Sequence, residues 1–459
     1  MISNNPRRAI NGISCRSGCI LLRASIFVSL FMFTAVAAVA QAATEKLPLR
    51  DRVWIASKIY SSVRIYFGHW QAVPDLDLDA EYRKFIDRIT ASDDRRTFDL
   101  AAYEFIASLK NGHSDFDDTW LSQVDGKPVG FVAARNTEGK WVVNRSVVAG
   151  VAAGDEILSI GGKPFDQFFK ENEKYISGSS ERARQRALFY RPFLFPPTFE
   201  LTLAGGRKAT IDRRAQALKP SSPLTTEGRM LDGNIAYLKI PSFGEAVFEN
   251  KALEFVKQNV GAKAFIIDVR GNGGGSTPGK LIAALMDRPY RDWVESTSAN
   301  IGLYGAYRQL QNVVPPAAQT ESLKTTIELS SQLEQVQIYL ANKLIQPDNP
   351  IYKGRVIVLT NFDCASACED FVMPLKISGR AEIYGSATRG STGQPYMYDF
   401  GNGMGFRISA KRAFLPDGSP FEGVGLTPTV FIEPTAAEIR AGNDVVLQKA
   451  IAAVAQTVR

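Results

Sequence analysis

Four apolar runs constrain the second half of this chain more than any other feature: Ile235 to Ile240, Ala264 to Val269, Val356 to Thr360 and Ala381 to Tyr384. Each is almost continuously hydrophobic, so neither side of such a strand can face water. Separated as they are by stretches of helical spacing, they predict a parallel-type sheet covered on both faces by helices. An α/β core is therefore expected over residues 228–459. Inside it, Leu329, Leu333, Val336, Tyr339 and Leu340 recur at helical intervals and predict a helical insertion over 288–354, placed to roof a cleft.

The rest of the chain divides by periodicity. Over 44–120, Trp54, Ile55, Ile59 and Val63, then Phe98, Leu100, Tyr103, Phe105, Ile106 and Leu109, follow helical spacing up to the loop Asn111-Gly112-His113-Ser114. Residues 126–214 read as a β-rich module. The string Ala149-Gly150-Val151-Ala152-Ala153-Gly154-Asp155-Glu156-Ile157-Leu158-Ser159-Ile160-Gly161-Gly162-Lys163 within it resembles a PDZ domain of the bacterial protease type. Such modules add a peptide as an edge strand and seat its terminal carboxylate on loop amides, here expected near Val129, Gly130 and Phe131. A module that merely packs against the core as a gate is the alternative.

At the amino terminus, Arg7, Arg8, Arg16 and Arg23 precede the apolar run Ile26 to Val39, which ends in Ala38-Val39-Ala40 and Ala40-Gln41-Ala42. A basic flank, a short apolar centre and small residues predict a signal peptide over 1–43 and a secreted, periplasmic protein. Membrane contact is then expected only through that segment if it stays uncleaved. Its removal takes four arginines and no acids, so the formal charge drops from +7 to +3. That residue of charge is too small to suggest nucleic acid. Two histidines, His69 and His113, and no zinc spacing leave no metal or other cofactor to expect.

Chemistry is suggested by three loops. Asn361-Phe362-Asp363-Cys364-Ala365-Ser366-Ala367-Cys368-Glu369 follows an apolar strand and opens a helix. Ser366 and Glu369 have the spacing of a capping box. The same strand, turn and helix order, with small neighbours, is that of a nucleophile elbow. Cys364 and Cys368 would pin little chain if they paired, and small apolar filling is the expected role. The glycine cluster Gly271-Asn272-Gly273-Gly274-Gly275 after the strand ending at Val269 is either a flexible turn or an oxyanion hole of backbone amides. His113 is the candidate base and His69 its rival.

Taken in order, Asn111-Gly112-His113-Ser114, the PDZ-like string, Asp268-Val269-Arg270-Gly271-Asn272-Gly273-Gly274-Gly275, Ala365-Ser366-Ala367-Cys368-Glu369 and Glu422-Gly423-Val424-Gly425-Leu426-Thr427-Pro428 resemble the S41 family of serine peptidases over nearly all of the chain beyond residue 43. The resemblance implies a ClpP/crotonase-like core. The processing branch of the family has a lysine where this chain has Ser391, so its Ser-Lys dyad is missing. The tricorn-type branch implies Ser366 as nucleophile, His113 as base and Glu422 as acidic orienter, acting through the hydroxyl of Ser114. It further implies amides of Ala367 and Gly274 as the oxyanion hole, and polypeptide substrates. Asn111 stands where aspartate is usual and Thr429 where aspartate commonly follows the proline. A catalytically silent peptide- or ligand-binding protein on the same scaffold, and an esterase, are the alternatives.

Overall fold

The computed structural model describes residues 45–215, 223–298, 314–319, 321, 323–324, 337–340 and 342–456. The expected signal peptide lies outside them, and among the described residues no helix is long and apolar enough to cross a membrane.

The core sheet has six strands, ordered Val430–Phe431, Ala381–Gly385, Arg355–Thr360, Ala264–Asp268, Ile235–Lys239 and Glu227–Leu231. All pairs are parallel except the last, where Glu227–Leu231 runs antiparallel along the edge. Alternate side chains sort to the two faces as the strand period requires. Leu238, Phe265, Ile267, Val358 and Ile383 pack beneath the helices Ala246–Gln258, Gly279–Leu285 and Ala367–Ile377. Tyr237, Ile266, Ile357 and Leu359 meet Val446, Ala450 and Val454 of the helix Val445–Gln456. Both faces are covered, which is why these strands carry no polar alternation.

The stretch expected to be a helical insertion differs. Leu329, Leu333 and Val336 fall outside the described residues, whereas Tyr339 and Leu340 lie in the strand Gln337–Leu340. That strand pairs with Val294–Ser298, which in turn pairs with Arg412–Phe414. Apolar residues at short intervals do not separate helix from strand, and here sheet pairing decides.

The β-rich module is a sheet ordered Phe131–Arg135, Trp141–Ser146, Glu156–Ile160, Thr198–Leu203, Lys208–Asp212, with helices Phe165–Asn172 and Glu181–Leu188. Trp141, Phe165, Phe169, Phe189 and Phe195 form much of its core. Arg186 of the helix Glu181–Leu188 holds Asp363 through both carboxylate oxygens at 2.6 and 3.0 Å, and Arg440 donates to the Gly154 carbonyl at 2.7 Å. The module is thus tied directly to the turn that precedes Ser366.

Helices Leu49–Tyr66, Leu78–Ala91 and Arg95–Ala107 form the amino-terminal layer. Asp77 and Asp94 cap the second and third by accepting from Ala80 and Thr97 amides at 2.9 and 2.8 Å. Ile55, Ile59, Val63, Phe98, Phe105 and Ile106 pack against Met404, Phe406 and Ile408 of a hairpin from the far end of the chain. The strand Asp115–Asp118 completes this link by pairing antiparallel with Met404–Ser409, which also pairs with Pro395–Asp399. His113 and Ser391 therefore lie just before two strands of one sheet.

Candidate active site

Ser366 opens the helix Ala367–Ile377 with φ 55° and ψ −126°, a backbone region that side-chain-bearing residues rarely occupy. Its amide donates to the Ser391 carbonyl at 2.9 Å and to Glu369 Oε2 at 3.1 Å. The Glu369 half of the capping box is therefore made. Glu369 is fully buried and also accepts from the amides of Gly390 at 2.7 Å and Ser391 at 3.0 Å. Burial outweighs these donors and pushes its carboxyl up to about 8. One side chain thus fixes the Ser366 turn to the Gly390–Ser391 turn.

Cys364 and Cys368 are joined by a disulfide that brackets Ser366. The expectation of unpaired, space-filling cysteines is overturned. The turn, by bringing their Cα atoms to 5.4 Å, meets the separation a bridge requires.

His113 sits across from this turn. Its Nδ1 is 2.8 Å from Ser391 Oγ, and its amide donates to Asn111 Oδ1 at 2.9 Å. Gly112 makes the approach possible, since a Cβ there would stand 2.8 Å from Ser391 Oγ. Burial, then the charges of Arg407, His69, Arg389 and Lys411, push the imidazole down to about 3. It is neutral across the physiological range. With Nδ1 engaged by Ser391, Nε2 is the nitrogen left for a substrate or nucleophile.

Glu422 reaches the same place because the Gly423 amide donates to the Gly390 carbonyl at 2.6 Å. Its Oε1 accepts from Ser179 Oγ at 2.5 Å and Asn111 Nδ2 at 3.3 Å. Its Oε2 is buried without a partner within hydrogen-bond distance among the described residues. Burial pushes this carboxyl up to about 7, opposed by Ser179, the Thr392 amide and the Ser391 hydroxyl.

Ser114 is not the link to Glu422 that the resemblance implied. Its hydroxyl donates to Asn111 Oδ1 at 3.2 Å and accepts from the Ser409 amide at 3.1 Å, so it staples the loop to the hairpin. Asn111, which replaces the usual aspartate, touches Glu422 instead. An amide can do this where a carboxylate would repel another carboxylate.

Gly274 is adjacent to the turn, as a Cβ there would meet Ala365 O at 2.6 Å, Ser366 Cβ at 2.7 Å and Ala367 N at 2.9 Å. Its amide, however, donates to Asn272 Oδ1 at 2.9 Å and is not open to a ligand. Its φ of 99° and this close approach are what demand glycine. Ala367 N, at the first helical position, has no acceptor among the described residues. The rival base His69 is buried, pushed down to about 4 mainly by burial, and bonded through Nε2 to Ser409 Oγ at 2.9 Å. It does not touch Ser391.

Val129 and Phe131 point into the module's core, so neither side chain lines a peptide groove. Gly130 has φ 81°, and its carbonyl accepts from the Val147 amide at 2.9 Å. Phe131–Arg135 is the sheet's edge strand, with the helix Glu181–Leu188 packed beside it.

Ser391 and Ser179 were missed as site residues. Ser391 had a signal: it occupies the place of the processing-branch lysine. Ser179 lies in an unremarkable Ser-Gly-Ser-Ser run and had none.

The fold is a multi-sheet α/β assembly with a helical amino-terminal layer, and its serine turn stands at the carboxyl end of a parallel strand. Residues 234–432 match the model of Peptidase family S41. Among solved structures, the chain is similar to mature CPAF complexed with lactacystin, with TM-score 0.63, 16% identity, and 89% of this chain and 98% of that one covered. It is also similar to mature CPAF, with TM-score 0.64, 15% identity and the same coverage of 89% and 98%. At these identities the likeness speaks for the fold.

Proposed function

We propose that this protein is a secreted, periplasmic serine endopeptidase in which Ser366 attacks a peptide carbonyl and His113 removes its proton. The observation that carries the reading is convergence on one residue: Ser391 accepts the Ser366 amide on its carbonyl and meets His113 Nδ1 with its hydroxyl. In this reading Nδ1–H donates to Ser391 Oγ, and the buried carboxyl of Glu422 acts on this pair by its charge, its Oε2 having no hydrogen-bond partner among the described residues. That fixes the tautomer with a lone pair on Nε2, the form a general base needs. As the imidazolium develops, the charge of ionised Glu422 stabilises it, and His113 returns the proton to the leaving amine. Ala367 N–H is the assigned oxyanion donor.

The β-rich module is assigned a PDZ role, holding a polypeptide end beside the edge strand Phe131–Arg135. A cleft of about 240 Å³, lined among others by Arg182, Arg186, Phe362, Asp363 and Glu433, lies between the module and the residues that precede the serine turn. A disulfide at that turn fits an oxidising compartment. Digestion of a denatured peptide library, read by mass spectrometry, tests this function. Cleavage by the form lacking residues 1–43, absent in Ser366→Ala, is expected; hydrolysis of small esters alone would favour an esterase, and binding without turnover a silent scaffold.

A further inference from the structure

Among the elements that hold Ser366, the Cys364–Cys368 bridge is the one whose purpose the fold does not explain. It spans four positions in sequence, and closing so short a loop removes little freedom from the unfolded chain. Both cysteines are fully buried, in a helix start already anchored by Phe371, Val372 and Met373 in the main core. As a brace for the whole molecule it is poorly placed.

Its placement is sharp in another respect. The bridge closes around Ser366, whose φ of 55° and ψ of −126° lie where an L side chain crowds its own backbone. Left to itself, such a residue relaxes by rotating φ to a negative value. Rotation in the middle of a short loop swings its ends apart, and the bridge holds those ends with Cα atoms 5.4 Å apart. The flanks are also tied. Cys364 donates to the Asn361 carbonyl at 3.0 Å and accepts from the Arg389 amide at 2.9 Å, while Cys368 donates to the Ala365 carbonyl at 3.1 Å. Hydrogen bonds of this kind open transiently; a covalent bond does not.

We infer that Cys364 and Cys368 are positioning residues: their bond keeps Ser366 in its unfavourable backbone conformation, the one in which the turn presents its hydroxyl and the Ala367 amide is left without an acceptor. This rests on the reading of Ser366 as nucleophile for its catalytic consequence, though not for its structural one. The Cys364→Ala/Cys368→Ala double variant tests both. Hydrogen exchange over 361–369 is expected to quicken at least tenfold while the thermal midpoint and exchange elsewhere stay close to wild type. Peptide turnover is expected to drop at least tenfold in kcat with KM within twofold. Unchanged exchange in that segment, with unchanged kcat, overturns the inference. Global unfolding of the variant also overturns it, since the bond would then brace the whole fold. Local loosening in a protein whose wild type cleaves nothing would leave the clamp standing and sink the peptidase reading instead.

Discussion

His113 Nδ1 and Ser391 Oγ lie 2.8 Å apart although 278 positions separate them, and the contact depends on the pairing of Asp115–Asp118 with Met404–Ser409. Ser391→Ala removes the hydroxyl that selects the tautomer. A kcat loss of roughly 10²- to 10⁴-fold with KM little changed is expected, the range left when a triad's orienting group is lost. In the proposed mechanism Glu422 acts on the Ser391–His113 pair, so Ser391→Ala/Glu422→Gln should cost little more than either alone. Additive losses in steady-state kinetics would place them in separate roles.

Gly112→Ala probes the same contact from the other side. The new Cβ would stand 2.8 Å from Ser391 Oγ, so the hydroxyl must move. Activity should fall by at least tenfold, while the thermal midpoint changes by only a few degrees, as for a loss of about 1 kcal/mol. Wild-type kcat in a folded Gly112→Ala variant would contradict the assigned geometry.

The pH dependence follows from two buried carboxyls. Glu422, raised to about 7, is ionised only above that value, and His113, pushed down to about 3, is already neutral. The acid limb of kcat/KM is therefore expected near pH 7 as a property of the coupled set, and Glu422→Gln should flatten it at a lower plateau. Stability runs the other way. Glu422 and Glu369, raised to about 7 and about 8, hold protons that the unfolded chain releases near 4.5. The native state thus binds more protons between these values, and stability falls as pH rises through them. Thermal melts from pH 5 to 8.5 should show the midpoint decreasing over the range in which activity increases.

Glu369→Ala leaves the amides of Gly390 and Ser391 without their acceptor, while that of Ser366 keeps the Ser391 carbonyl. Each buried orphan donor costs about 1–3 kcal/mol, so a loss of about 3 kcal/mol or more is expected in chemical unfolding. Glu369→Gln should recover only part of it, because its NH₂ faces donors where the carboxylate had a second acceptor. A loss under about 1 kcal/mol would show that water replaces the carboxylate freely.

The sheet was readable from sequence because continuous apolar strands such as Ala264–Asp268 and Arg355–Thr360 have one physical solution, burial on both faces. The segment Gln337–Leu340 was misread because short apolar spacing fits either period, and its strand state depends on Val294–Ser298. At the candidate site, Ser366, His113 and Glu422 are proposed from motif order, which carries no information on how they connect. Ser114 was given the bridging role because it adjoins His113 in sequence, whereas Ser391 and Asn111 do the touching through a hairpin closed by distant chain. Gly274 was expected to supply an oxyanion-hole amide; it adjoins Ser366, yet its amide turns to Asn272, a local choice of hydrogen-bond partner that no spacing encodes.

Intact-protein and peptide mass spectrometry after fluorophosphonate treatment tests the central claim most directly. A single adduct on the peptide containing Ser366 is expected, absent in Ser366→Ala and formed at least a hundredfold more slowly in His113→Ala. Labelling of another serine, or a His113→Ala variant that reacts as fast as wild type, would contradict the pairing of these two residues.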